Sequence, residues 1–277
     1  GFKQAGEDFG VEAIVNGPAT ADAAQQATMI EDYINQGVDA ICVAPNDPAA
    51  VASVLKKAKD AGIVVLDWDT QVEDQSLVDA SVYNVVDEEF GAHMMDKLVE
   101  YMGTDEGEYA IITGGLSAAN LNAWIDAAKA RQEEKYPNLK LVADPFPTDE
   151  KQDLAQSTTK DLLKSYPNVK GILGMSSPTG PGCGLAIQEL GLQDEVSLVA
   201  NGIEADCQDV IADGSLDSGC LWNCDELGYL TRAVAKYILD GNDMADATEI
   251  EGMNGPSEVR DGHDVYLTIT GACYEKK

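Results

Sequence analysis

Histidine is nearly absent from this chain: His93 and His263 are the only two in 277 residues. That scarcity weighs against a serine or cysteine hydrolase, whose nucleophile needs an imidazole base. The stretch Gly115-Leu116-Ser117-Ala118-Ala119 resembles a nucleophile elbow with its last glycine replaced by alanine. Neither histidine suits it, however. His93 lies between Ala92 and Met94-Met95 in a helical pattern, and His263 in a late polar loop. Basic residues are also few, 18 Lys+Arg against 49 Asp+Glu, for a net charge of −31. Such a field repels nucleic acid and anionic lipid, so no nucleic-acid partner is expected; a halotolerant or extracellular setting would suit the charge, and so would an ordinary well-solvated acidic surface. No apolar run approaches the ~18 residues of a membrane-spanning helix. The Gly/Pro-rich PTGPGCG at 178–184 lacks the lysine and the spacing of a phosphate-binding loop. No His/Cys/carboxylate cluster has metal-ligand spacing, so neither a metal nor a cofactor is expected.

Cysteine is neither absent nor abundant. Six residues, at 42, 183, 207, 220, 224 and 273, are many for a reducing compartment and few for a disulfide scaffold. Cys42, within AICVAP, reads as a small buried hydrophobe. Cys220 and Cys224, in CLWNC, have the wrong spacing for a CxxC redox motif. One disulfide is compatible with this usage, but its partners are not legible.

What the chain does have is a repeating beat of strand and helix. Strand-like segments are VEAIV from 11, DAICVAP from 39, IVVLDW from 63, DASVYNV from 79, EYAIITGG from 108, LKLVADPF from 139, VKGILGM from 169, SLVANG from 197 and SGCLW from 218. They are short, β-branched and apolar on both faces, as strands covered on both sides must be. Between them lie helical patterns. Ala27, Ile30 and Ile34 share a face that stops at Gly37, and Asp47-Pro48 opens a second helix as N-cap and first-turn proline. A third helix runs from Asp87 through Phe90, Met94, Leu98 and Tyr101 to Gly103. This alternation predicts α/β architecture, two doubly wound lobes with parallel sheets, with a break at the polar, glycine-punctuated stretch 103–108. Past Leu239 the pattern loosens into a loop and closing strands.

Ligands of open α/β sheets sit outside the carboxyl ends of the strands, which makes the strand-end residues the candidates. These are Asp67, Trp68 and Asp69, then Asn120 and Asn122, then Met175, Ser176 and Ser177, then Asn201 and Trp222. In an extended segment Asp67 and Asp69 would share one face. Tryptophan offers a flat apolar face, and Asp and Asn offer multidentate hydrogen bonding. That pairing suits a sugar or polyol, which carries apolar C–H faces and a belt of hydroxyls. Bland alternatives compete: Asp67 as a strand-end cap, Asp69 as a solvated loop acid, Trp124 as core and Asn201-Gly202 as a turn.

NQGVDAICVAPNDP (35–48), AGIVVLDWD (61–69), AANLNAW (118–124) and GCLWNCDELG (219–228) together resemble periplasmic sugar-binding proteins of the ribose-binding type. Within that group the chain is similar to the ABC-transporter receptors for rhamnose and autoinducer-2. The resemblance covers nearly the whole chain. It implies a type I periplasmic binding protein: two lobes, 1–112 with 225–255 and 113–224 with 256–277, joined by a multi-strand hinge that closes on ligand. It implies no enzyme but a receptor for a small sugar, a rhamnose-like deoxysugar or an autoinducer-2-like polyol in the interlobe cleft. The implied receptor is a monomer, periplasmic or extracellular and lipid-anchored in some members, that is read by a membrane permease. A first strand and ligand-contacting loop would precede the helix matched by Phe2 to Phe9, with a signal or lipoprotein segment ahead of them.

Carried over by residue, the acid after Trp68 matches a carboxylate that bonds ligand hydroxyls in autoinducer-2 receptors, which supports Asp69. The Asp-Gln of those receptors falls on Asn120 and Leu121, and their Pro and Ala contacts on Met175 and Ser177. These departures favour a deoxysugar or related polyol at least as much. In ribose-type receptors a position near the last hinge falls on Trp222, which fits an aromatic wall. A sugar-acting enzyme or a signalling sensor on the same scaffold are the alternatives.

Overall fold

The computed structural model describes residues 1–268 and 270–275. It divides into two compact units. The first comprises Gly1–Val86 with Trp222–Ile269, and the second Asp87–Leu221 with Thr270–Lys277.

The first unit opens with α1 (Phe2–Phe9) and α2 (Ala23–Gln36), followed by β1 (Ala40–Val43), α3 (Pro48–Asp60), β2 (Val64–Trp68) and β3 (Ala80–Tyr83). The local signals act as expected. Asp47 caps α3 by accepting from the N–H groups of Ala49 and Ala50, and Gly37 ends α2 with φ 74. Strands β1, β2 and β3 pair in parallel. Consecutive residues of β2 feed opposite layers because a strand alternates its side chains. Val65 packs with Val51, Val54 and Leu55 of α3, while Leu66 packs with Leu227, Leu230 and Val234 of the last helix.

The second unit begins with α4 (Asp87–Met102), then β4 (Glu106–Thr113), α5 (Ala119–Lys135), β5 (Asn138–Leu141), β6 (Phe146–Pro147), α6 (Gln152–Ser165), β7 (Val169–Gly174), α7 (Thr179–Leu190), β8 (Ser197–Asn201), α8 (Glu204–Asp213) and β9 (Ser218–Leu221). The chain then returns to the first unit for α9 (Cys224–Leu239), β10 (Glu249–Glu251), β11 (Pro256–Arg260) and β12 (Asp264–Tyr266), and ends in the second with β13 (Ala272–Glu275). Among the described residues the sheets run β1-β2-β3-β12-β11-β10 and β13-β9-β8-β7-β4-β5, with β6 also beside β4.

Four expectations differ from this architecture. The division falls after Val86 and not at 103–108, because α4 packs on α5. There Phe90 meets Trp124 edge-on at 4.9 Å, and Gly91 lies so close to the Trp124 carbonyl that a Cβ would sit 2.2 Å from its oxygen. The segment 256–269 likewise belongs to the first unit, where β12 extends the sheet beside β3. The sheets are also not wholly parallel: β10, β11 and β13 join antiparallel, and the tight connections from β10 to β12 leave no room for a crossover helix. Finally, VEAIV at 11–15 forms no strand. Its apolar residues pair with no ladder, and Val11, Ile14 and Val15 stay exposed at 39%, 49% and 56%.

One disulfide joins Cys220 of β9 to Cys273 of β13, across 53 residues. Closing a loop of that length is worth roughly 4 kcal/mol in a chain-entropy argument. Cys224, the other cysteine of CLWNC, is free and exposed, and burial pushes the Cys42 thiol up to about 12. No helix is long and apolar enough to cross a membrane, among the described residues.

Candidate functional site

At the carboxyl end of β2 two acids, one residue apart, meet opposite fates. Asp67 is fully buried. Its Oδ2 accepts from the Val72 N–H at 2.8 Å and from Gln75 Nε2 at 3.4 Å, closing the turn that follows the strand. Asp69 adopts φ 62, the left-handed region that Asp and Asn tolerate better than other side chains. That value breaks the two-residue alternation, so the expectation that both carboxylates share a face does not hold. The Asp69 N–H still donates to Val82 O at 3.0 Å. Its Oδ1 accepts from Asn84 Nδ2 at 2.8 Å, and its Oδ2 from Thr70 Oγ1 at 3.3 Å. Trp68 and Trp222 are half-buried and pack on the same apolar cluster. Beyond Trp222, Asn223 caps α9, accepting from Asp225 N and Glu226 N. Burial, then the carboxylates of Asp69 and Asp225, raise the Cys224 thiol, so Asp69 and the start of α9 feel one another.

Burial also pushes the Asp67 carboxyl up from 3.8 to about 6, against the opposing bonds from Val72 and Gln75. An acid whose folded value exceeds its unfolded one costs stability once both states ionise. The cost is nil below pH ~3.8, grows as pH rises towards 6 and is then constant, at about 3 kcal/mol. Asp67→Asn keeps an acceptor for Val72 and removes the charge. Urea midpoints from pH 4 to 7 should therefore fall less with rising pH in the variant than in the parent. His263 is raised first by its bond to Asp264 and also by the Asp67 charge, so both curves are taken in a His263→Gln background that removes this coupling. Parallel curves would mean that Asp67 titrates alike folded and unfolded.

In the second unit the strand-end residues come from β4, β7 and β8. Asn120 is buried at the start of α5, and its Oδ1 accepts from the Leu121 N–H at 2.9 Å. Asn122 is turned back on its own loop, donating to Leu116 O at 2.9 Å. Met175 is fully buried, and its N–H donates to Ile112 O at 2.8 Å. Ser176 is buried beside it. Ser177 Oγ donates to Asn201 Oδ1 at 3.3 Å, and Asn201 Nδ2 to Cys220 O at 3.0 Å. Ser177 and Asn201, from different strand ends, thus form one polar pair.

Two polar residues of these strand ends escaped the sequence reading. Asn84 sits at the end of β3, inside a run that reads as strand, and nothing marks it as the partner of Asp69. Glu150 follows β6 with φ 56, next to Asp149 with φ 49. This turn returns its carboxylate over the end of β4, where Oε1 accepts from the Gly115 N–H at 3.3 Å. Burial raises the Glu150 carboxyl, opposed by the bonds from Gly115 and Ser176. Gly114 admits it: a Cβ there would lie 1.6 Å from Glu150 Oε1.

With this geometry in place, residues 1–243 match the model of the periplasmic binding protein domain. The chain belongs to the periplasmic binding protein family. It is 28% identical over 230 residues to a xylitol-binding protein of Mycolicibacterium smegmatis, covering 82% of this chain and 63% of that protein. The chain therefore spans less than two thirds of that relative's length. A galactofuranose-binding protein of Escherichia coli is 25% identical, over 87% of this chain and 82% of its own. Two solved structures are similar at near full length. One is LsrB from Clostridium saccharobutylicum in complex with AI-2, with a TM-score of 0.90, 26% identity and coverage of 99% and 91%. The other is an ABC transporter solute-binding protein from Clostridium phytofermentas with bound L-rhamnose, with a TM-score of 0.88, 27% identity and coverage of 99% and 88%. The α/β type I periplasmic binding protein fold expected from the sequence is the fold of this family member.

Proposed function

We propose that this chain is the solute-binding receptor of an ABC importer and takes a small sugar, a rhamnose-like deoxysugar or an autoinducer-2-like polyol. The observation that carries this reading is Asp69. It is a carboxylate held in left-handed backbone at the end of β2, fixed by Asn84 and Thr70, with Trp68 and Trp222 on the same apolar cluster. A fixed carboxylate selects hydroxyl donors, and an indole face covers a sugar's C–H face. Asn120, Ser176, Ser177 and Asn201 supply further polar atoms in the second unit. Asp67, Asn122 and Met175 serve the same strand ends by holding the turn, the loop and the core beneath them. Hydrogen bonds to a charged group are worth roughly 1.5–3 kcal/mol each, so three with aromatic stacking reach the ~8 kcal/mol of a micromolar complex.

Turnover is no part of this reading. His263 Nδ1 is bonded to Asp264 Oδ1 at 2.8 Å, and His93 faces a sulfur tied into a disulfide. The receptor acts as a monomer outside the cytoplasmic membrane and delivers its sugar to a membrane permease. The relatives bound to L-rhamnose and AI-2, and those named for xylitol and galactofuranose, support this choice of ligand class.

Thermal melting against rhamnose, ribose, arabinose, xylitol and autoinducer-2 tests the reading. A ligand at a thousand times its dissociation constant adds about 4 kcal/mol. For a chain of this size that raises the midpoint by roughly 8–16 °C. A shift with one compound names the ligand class. No shift with any of them, or release of a chemically altered product, removes the proposal.

A further inference from the structure

The disulfide of the second unit has a neighbour that the candidate sugar site does not use. His93 Nε2 lies 3.4 Å from Cys273 Sγ, and Nε2 and both sulfurs lie within 4.8 Å of one another. Cys220 is fully buried, while Cys273 and His93 are half-buried, so the group has a buried floor and a side open to solvent. Three ligands of two types typical of zinc, thiolate and imidazole, are therefore gathered from three distant stretches of chain, on β9, β13 and α4.

We infer that, when the Cys220–Cys273 bond is reduced, these three side chains bind a zinc-class divalent cation. The geometry favours it. Bonds of about 2.3 Å to sulfur and 2.0–2.1 Å to nitrogen at a tetrahedral angle place a sulfur and a nitrogen about 3.5 Å apart. That is close to the separation of Cys273 Sγ and His93 Nε2. The same geometry needs the two sulfurs roughly 3.8 Å apart. The backbone keeps them in reach without the covalent bond, because Cys273 and Cys220 are directly opposed in the antiparallel β13–β9 ladder. The histidine is held independently. One turn further along α4, Lys97 pairs with Glu275 at 2.9 Å, which pins the helix beside β13 two residues beyond Cys273. Ser218 Oγ lies 3.9 Å from Cys220 Sγ, and the open side leaves a fourth position for water.

The chemistry balances. A phosphine breaks the S–S bond, becomes its oxide with the oxygen of one water, and that water's two protons end on the two sulfurs. Cation binding then forms two sulfur–metal bonds and one nitrogen–metal bond and releases those two protons. The disulfide and the metal site are thus mutually exclusive states of one cluster.

The test uses the full chain, phosphine-reduced, freed of reagent without air, and titrated with Co²⁺. The reduced protein should take up one Co²⁺ per chain with a thiolate-to-cobalt charge-transfer band, and Zn²⁺ should displace it. The oxidised protein should show no such band. Cys273→Ser should abolish it, Cys224→Ser should leave it, and His93→Gln should weaken cobalt binding at least tenfold. His93→Gln keeps the disulfide, so its melting temperature when oxidised reports folding separately from binding. A reduced chain without the band, or a band that survives Cys273→Ser, overturns the site. Neither result bears on the sugar reading, which is tested on the oxidised protein.

Discussion

Asp69→Asn is expected to weaken binding of whichever sugar shifts the melting curve by at least tenfold, with the ligand-free melting temperature nearly unchanged. The argument rests on what asparagine keeps. It tolerates left-handed backbone as aspartate does, so φ 62 adds no new strain. Its carbonyl oxygen can still accept from Asn84 Nδ2, and its N–H still donates to Val82 O. Besides the charge, only the long 3.3 Å bond from Thr70 Oγ1 is lost, because an amide nitrogen cannot accept it. Two hydroxyl donors that meet a neutral amide in place of a carboxylate each lose about 1 kcal/mol or more, the gap between charged and neutral hydrogen bonds. Two such losses correspond to about thirtyfold or more in affinity, and one alone to somewhat under tenfold. Isothermal titration on both proteins, with melting of the ligand-free forms, checks this. Equal affinities would remove Asp69 from the site, whereas a falling melting temperature would recast it as a structural residue.

The largest stability effect should come from Trp124→Ala. Trp124 is all but fully buried between α5 and α4, edge-on to Phe90, and its Nε1 donates to Asp87 Oδ1 at 2.7 Å. Truncating such a ring to a methyl group costs about 3–5 kcal/mol, from lost contacts and the cavity left behind. Asp87 adds to the loss. Burial already pushes its carboxyl up to about 6 against the stabilising Trp124 bond, so removing that donor strands an acid in a poor medium. The melting transition of the second unit should fall by roughly 6–20 °C. Trp124→Phe separates the two causes, because it fills most of the volume without supplying the N–H. A drop confined to the alanine variant assigns the effect to packing. A comparable drop in both assigns it to the hydrogen bond, and no drop in either would contradict the burial.

Much of this molecule could be read without coordinates, because local rules and a repeating pattern act over a few residues. Asp47 followed by Pro48 caps and starts α3, and Gly37 and Gly103 end helices where left-handed backbone favours a residue without a Cβ. Short β-branched runs alternating with amphipathic helices specify the α/β class. AGIVVLDWD and GCLWNCDELG point to the family to which the chain belongs. Other features were set by partners distant in sequence, which no local pattern reveals. VEAIV has a strand's composition but no ladder to join, and pairing, not propensity, makes a strand. Asp67 and Asp69 have equal claims in the sequence. One positive φ turns Asp69 to meet Asn84, while Asp67 is drawn into the turn at Val72. Glu150 reaches the end of β4 only because its turn folds back across 35 residues of chain to Gly115. Likewise Cys220 found neither of its neighbours in spacing. The antiparallel register chose Cys273, and the packing of α4 beside β13 brought His93. Composition and periodicity determined which elements form, and the resemblance of a few motif stretches pointed to the family. Tertiary packing decided which polar atoms meet, because a hydrogen bond or a sulfur–sulfur bond is settled within a few tenths of an ångström, a precision that exists only once the sheets have registered.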